Sequence, residues 1–368
     1  MRIAYMLTSL GIGGAERQVV SLAERMANRG HAVVLVVLKA RQSKDWLTSI
    51  EIIHLGFDKS LMSTCQGLGR AYRFLRGFRP DLVHSHTYPA NMAARMLHAL
   101  GSAPNVLSTI HNVYEGGWQR TILLGLSDGL SMHTIAVSQS VAERSISVGA
   151  TVKSKCSVIT NGIELTRFAS NVDRRASMRA ALHGGEDFIW LAAGRIVPAK
   201  DYPNLLRAFA EVRAAAPQTQ LWIAGEGSSA EQERVQSYAL ALGISDDVHW
   251  LGMREDMAAL FDACDGFALS SAWEGMPLVV GEAMAMEMPV VATDVGGVGE
   301  LMGGTGMLVP AGDSNAFAGA MLATMRTPPE TRRVKGHAAH LRIRQHFDMD
   351  SKAAEWEALY ASLLNPRG

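Results

Sequence analysis

The chain has 368 residues, 48% of them hydrophobic and 19% charged, which suits two or three domains with full cores and excludes a disordered polymer. The formal net charge is zero, yet residues 1–165 carry 17 Lys and Arg against 10 Asp and Glu, while the remainder carries 18 against 25. A basic half joined to an acidic half suits either one lobe facing an anionic surface or two lobes that attract each other.

Short β-branched runs at 3–7, 33–38, 52–55, 82–85, 106–110, 134–137 and 157–160 alternate with helical patterns such as 15–29 and 138–148. The alternation pauses over 165–187, "LTRFASNVDRRASMRAALHGGED", and resumes through "FIWLAAGR", "QLWIAG", "DVHWLG", "GFALS", "PVVAT" and "GMLVP". Beyond Asp313 only helical patterns remain. Strand–helix alternation predicts parallel sheets covered on both faces, here two Rossmann-like, doubly wound α/β domains facing across a cleft. The expected boundaries are a first domain at 1–168, a linker at 169–187 and a second domain at 188–347. Residues 348–368 then form a C-terminal helix, with the first domain as its candidate packing partner.

Cys65, Cys156 and Cys264 are far apart and form no C-x-x-C pair, so neither a disulfide framework nor a zinc ribbon is expected. The apolar run before Gly11 is too short for a signal peptide, and no stretch reaches the roughly 18–20 apolar residues of a spanning helix. The expected location is the cytoplasm, with a peripheral position on the membrane left open.

In open α/β sheets ligands bind beyond the carboxyl ends of the strands, so the loops there carry the chemistry. In "TSLGIGGAER", Gly11, Gly13 and Gly14 allow close backbone approach, and the following helix offers amides to an anion. Glu16 stands where a dinucleotide fingerprint needs its third glycine, and the second strand ends at Lys39 with no acid for a ribose. A phosphate or sugar role and a plain tight turn both remain open. In "WLAAGRIVPAKDYPNLL", Arg195 and Lys200 put a planar fork and a point charge on one loop, suited to a pyrophosphate or simply to water.

In "AWEGMPLVVGEAMAMEMP", Glu274 and Glu282 interrupt an apolar stretch, and an unpaired buried carboxylate is costly. Either they face water or a ligand supplies their partners. A helix is expected to start near Leu278, and Glu282, just over a turn later, can take a vicinal diol with two hydrogen bonds or merely complement the helix dipole. In "HSH", His84 and His86 share a strand face but lack further ligands, so no metal site is expected, and one of the pair, His86, is an acceptor-side candidate. The segment "GRAYRFLRGFRP" interleaves Ala71, Phe74, Leu75 and Phe78 with four arginines, and either packs on the sheet or lies on an anionic membrane. No nucleic-acid module is present in the sequence.

The segments "GIGGAE", "DLVHSH", "STIH", "VITNGIE", "GRIVPAK", "IAGEGS", "WLGMRED" and the pair Glu274–Glu282, spaced E-x7-E, occur in one order over nearly the whole chain. As a set they resemble the retaining glycosyltransferases of family four, which have GT-B architecture. The resemblance implies that Arg195 and Lys200 grip the donor diphosphate, that Glu282 holds the ribose hydroxyls, and that Glu274 faces the donor sugar. It places the backbone amides of Gly275, Met276, Pro277 and Leu278 around sugar and phosphate, Gly13 and Gly14 in a loop closing over the phosphate, and His111 near the sugar. Gly227 and Met253 match the nucleobase wall. The departure is Asp201, where many relatives have glycine, and a helix-capping role is expected for it.

The implied reaction moves a hexose-type sugar, with retention, from a nucleotide-diphosphate sugar, first of all a UDP-sugar, to a lipid-linked or polysaccharide glycan. Glu274 and His111 are the catalytic candidates, Glu274 for positioning and charge stabilisation rather than as nucleophile. No cofactor and no metal are expected, since the one D-x-D, at 348–350, lies in the helical C-terminal region. A nucleotide-sugar epimerase of the same fold, or a non-catalytic sugar-nucleotide-binding partner, are the alternatives.

Overall fold

A computed structural model of the chain describes residues 1–11, 13–40, 48–58 and 60–365, so Ile12 of the glycine loop lies outside it. The chain divides into two units, Met1–Gly162 with Met349–Gly368, and Ile163–Asp348.

The first unit contains β1 (Arg2–Leu7), α1 (Gly14–Asn28), β2 (Ala32–Lys39), β3 (Glu51–Phe57), α2 (Leu61–Phe78), β4 (Leu82–His86), α3 (Tyr88–Ala99), β5 (Val106–Ile110), α4 (Trp118–Leu126), β6 (His133–Ala136), α5 (Gln139–Ser147) and β7 (Cys156–Val158). The second contains α6 (Val172–Ala181), β8 (Phe188–Ala193), α7 (Tyr202–Ala215), β9 (Thr219–Ala224), α8 (Ser229–Ala241), β10 (Val248–Gly252), α9 (Met257–Ala263), β11 (Gly266–Leu269), α10 (Leu278–Ala285), β12 (Val290–Thr293), α11 (Val298–Met302), β13 (Met307–Val309), α12 (Ser314–Arg326) and α13 (Pro329–His346). The last helix, α14 (Met349–Leu364), belongs to the first unit.

The strand pairs are parallel, in the orders β3-β2-β1-β4-β5-β6-β7 and β10-β9-β8-β11-β12-β13. Chain direction across each sheet therefore reverses between β1 and β4, and between β8 and β11. Those two points are where a doubly wound sheet leaves a crevice at its carboxyl edge.

β1 shows why its sequence is continuously apolar. Successive side chains point to opposite faces. Ile3, Tyr5 and Leu7 pack with Val19 of α1 and Trp356 and Tyr360 of α14. Ala4 and Met6 pack with Ala71 and Leu75 of α2 and Ala90 and Ala94 of α3. In the second unit, Trp190, Leu221 and Ile223 of the sheet meet Phe209 of α7 and Phe317 of α12.

One expectation changes and one open alternative is decided. The stretch 169–187 is not a linker but part of the second unit. α6 is docked there by Arg174, bonded to the carboxylate of Asp262, and by Arg175 and Arg179 on Asp265 at 2.7 and 3.1 Å. The partners of these arginines lie more than eighty residues away in sequence. The stripe of α2 also faces inward: Ala71 and Leu75 are buried and Phe74 and Phe78 pack against the same core, so this helix does not offer its apolar face to a membrane.

Candidate active site

In the second unit, the expected residues fall on loops at the β8/β11 switch point. β8 ends at Ala193, and the chain turns at Gly194, whose φ of +149° and tight surroundings both require glycine. A Cβ there would lie 2.9 Å from Cε of Lys200, so the missing side chain is what lets Lys200 fold back across the turn.

Lys200 does not wait as a free cation. Its Nζ lies 2.6 Å from Oε1 of Glu274, and Oγ of Ser271 donates to the same oxygen at 2.7 Å. Glu274 is 8% exposed, so the puzzle of an apolar stretch carrying this charge is answered within the chain. The two loops are tied further by the amide of Ala272 on the carbonyl of Ala199 (2.8 Å) and by Ser270 Oγ on the carbonyls of Lys200 and Asp201 (2.8 and 3.1 Å). Arg195, in contrast, is exposed and shows no hydrogen bond or ion pair to the described residues. One cation is held in an ion pair and the other stands exposed.

Asp201 adopts a left-handed conformation, φ +42°, and its carboxylate accepts the amide of Asn204 at 3.3 Å. The substitution for glycine therefore stays in the αL region that glycine favours and adds the cap on α7, as expected. α10 starts at Leu278 with Pro277 as its N-cap residue. Pro277 has no N–H, which corrects the expected set of four amides: donors at this turn come from Gly275, Met276 and Leu278. Glu282 is 5% exposed within the second turn of α10. Gly227 forms a bridge with Ile196, next to Arg195, and Met253, 47% exposed, donates its amide to Glu226 Oε1 at 3.2 Å. Glu226 is thus the strut between the two loops expected to wall the base, a residue the motif reading passed over.

In the first unit, the relevant loops follow β1, β4 and β5. Gly13 is the N-cap residue of α1 and Gly14 its first residue. Thr8 and Thr87, at the ends of β1 and β4, hydrogen-bond through their hydroxyls at 2.7 Å. His111 follows β5 and is half-buried, and its Nε2 lies 3.0 Å from Nδ1 of His86. His86 is only 2% exposed, which corrects its acceptor-side assignment, because the ring backs His111 and does not line a surface. His84 bonds Tyr360 at 2.7 Å and Thr109 at 2.8 Å, and Tyr360 bonds Tyr5 at 3.1 Å. Burial pushes His84 and His86 well below the usual histidine range and His111 down to about 4, so all three are neutral near pH 7.

Glu115 is a further residue that no motif announced. Burial pushes its carboxyl up to about 7, a rise that the nearby backbone of Tyr88, Asn112 and His111 and the Arg120 guanidinium partly offset. Its only sequence signal is one acid in an otherwise neutral loop. Among the described residues no group of three or more His, Cys, Asp or Glu could hold a metal ion.

Residues 12–167 match the family described as Glycosyltransferase Family 4, and residues 187–327 match Glycosyl transferases group 1. The chain is a family-four glycosyltransferase. This glycosyltransferase is 22% identical over 339 residues to the UDP-Gal:alpha-D-GlcNAc-diphosphoundecaprenol alpha-1,3-galactosyltransferase of Escherichia coli, covering 88% of this chain and 87% of that protein. It is 25% identical to the lipopolysaccharide core biosynthesis mannosyltransferase LpsB of Rhizobium meliloti, over 77% of this chain and 84% of the relative. Among solved structures it is similar to Alr3699/HepE of Anabaena in complex with UDP and glucose, with TM-score 0.88, 21% identity, and coverage of 98% of this chain and all of that one. That likeness identifies the GT-B fold. The glycosyltransferase has no helix, among its described residues, long and apolar enough to cross a membrane.

Proposed function

We propose that the enzyme transfers a hexose-type sugar, with retention, from a UDP-sugar to a lipid-linked or polysaccharide glycan, without a metal ion. The observation that carries this is the Lys200–Glu274 pair at the β8/β11 switch point, flanked by the exposed cation Arg195 and by the N-terminus of α10. A departing diphosphate needs positive charge fixed in advance, and Lys200, Arg195 and the amides of α10 offer it without a cation of the metal kind. Glu274, one oxygen held by Lys200 and Ser271, has its carboxylate oriented for charge stabilisation at the sugar, and Glu282 takes the ribose hydroxyls. The donor and acceptor classes are supported by the name of the Escherichia coli relative, which uses UDP-Gal and a diphosphoundecaprenol-linked sugar.

A membrane-bound acceptor is also supported by α4. Trp118, Ile122 and Leu126 recur every four residues on this helix and are 70%, 49% and 81% exposed, with Tyr114 (55%) between them and His111. An apolar stripe of that kind suits the interface of a bilayer and supports reading the enzyme as peripheral to a membrane.

The test is calorimetry with UDP, GDP and ADP in metal-free buffer, followed by nuclear magnetic resonance of the product anomer. UDP is expected to bind selectively, and the product to keep the donor's anomeric configuration. Preference for GDP or ADP would replace the donor, and an inverted product would remove the retaining assignment. A sugar altered but still on its nucleotide would make the protein an epimerase.

A further inference from the structure

β4 ends on a histidine with half of its polar capacity unused. The ring of His86 lies 4.0 Å, centroid to centroid, from that of His84 and 5.2 Å from that of His111. Its Nδ1 bonds Nε2 of His111 at 3.0 Å, while its own Nε2 is buried with no hydrogen-bond partner. His84 differs: both of its nitrogens are bonded, so it is a satisfied core histidine.

A single proton lies between His86 Nδ1 and His111 Nε2, and two neutral arrangements can place it. If His111 donates, the proton of His86 sits on Nε2, a buried N–H with no acceptor. If His86 donates, its buried Nε2 is a bare lone pair, and the proton of His111 resides on Nδ1. Orphaned buried N–H groups are rarer than under-used acceptors, which favours the second arrangement. A doubly protonated ring is excluded near neutrality by the same burial that depresses both groups.

We propose that His86 is a positioning residue for His111, anchoring Nε2 of that ring and setting its tautomer, so that His111 meets substrate with an Nδ1–H donor. The inference rests on the reading that His111 lies beside the donor sugar. An Nδ1–H can hydrogen-bond a sugar hydroxyl or a developing oxyanion, but it cannot take a proton, so His111 is not the base that deprotonates the acceptor.

The backbone holds the His86 end of the pair. Thr87, directly after His86, has φ +72°, a strained value for a β-branched residue, and is held by its hydroxyl bond to Thr8. Strain kept at this one turn is the arrangement expected where a ring must not rotate.

The test is nuclear magnetic resonance of the full chain labelled at histidine nitrogen, at neutral pH, with His111→Asn to assign the signals. His111 is expected to show a protonated Nδ1 and a bare Nε2. In His86→Phe the pattern should become a mixture of tautomers, and His86→Gln, which retains an N–H donor, should return it toward the native one. Thermal unfolding checks that the variants fold, and should His86→Phe not fold, the native spectrum and His86→Gln still decide. A native His111 protonated at Nε2, or a pattern indifferent to His86→Phe, would overturn the inference. Failure of the glycosyl-transfer reading looks different: no nucleotide binds, while the tautomer coupling remains.

Discussion

Lys200 and Glu274 hold each other at 2.6 Å with side chains 19% and 11% exposed, so neither can be removed without stranding the other. Breaking such a pair leaves a largely desolvated charge, and Lys200→Ala should cost about 2–4 kcal/mol of stability as well as UDP affinity. Adding Glu274→Gln should recover most of the stability and none of the affinity, read by thermal unfolding beside calorimetry. Recovery of both would mean that Lys200 acts only through Glu274. Glu115 gives a second test, through pH. Its folded value of about 7 lies above the ordinary carboxyl value of 4.5, so its protonation favours folding at low pH, and that contribution is lost as pH rises through 7. Glu115→Gln should therefore gain stability over the native chain at pH above 7, on the order of 1–2 kcal/mol, and the gain should shrink on acidification. His111 runs the other way, since the folded chain loses stability as pH falls from 6.5 toward 4. An unfolding series showing the same pH slope with and without Glu115→Gln would remove that carboxyl from the account.

α7 and α4 are decided by single positions. At the start of α7, Asp201 combines a left-handed backbone with a cap, two demands that alanine cannot meet. Asp201→Ala should cost about 1–2 kcal/mol, whereas Asp201→Asn, which tolerates αL and still caps, should be nearly neutral in thermal unfolding. Equal losses would show that the carboxylate charge, not the turn, matters at this loop. α4 turns Trp118, Ile122 and Leu126 outward, so Trp118→Gln with Leu126→Lys should leave the melting temperature unchanged. Flotation with phosphatidylglycerol vesicles should drop sharply, and undiminished flotation would clear α4 of any membrane role.

Across the molecule, the last helix is part of the first fold unit. Trp356 is 4% and Tyr360 0% exposed in the core under β1, and Tyr360 closes the hydroxyl chain to His84. Trp356→Ala should cost about 3–5 kcal/mol, and calorimetric unfolding should assign that loss to the unit holding β1–β7. The two sheets were legible in the linear chain because strands covered on both faces must be apolar throughout and must alternate with crossover helices. Lys200, Glu274 and Glu282 were legible for a related reason, since loops at strand ends are where such folds keep their polar exceptions. The docking of α6 was not legible, because a charged run looks alike whether it meets water or the aspartates at a neighbouring helix and strand. Lys200 pairs with a residue 74 positions away, and His86 lies behind a His111 that is 25 positions on. Such pairings depend on which strands are neighbours, and strand order in a parallel sheet is set by the packing of crossovers, not by any local run of residues. Folding brought together the ion pair, the histidine pair and the outward stripe of α4, while composition and period had already required the sheets on which they stand.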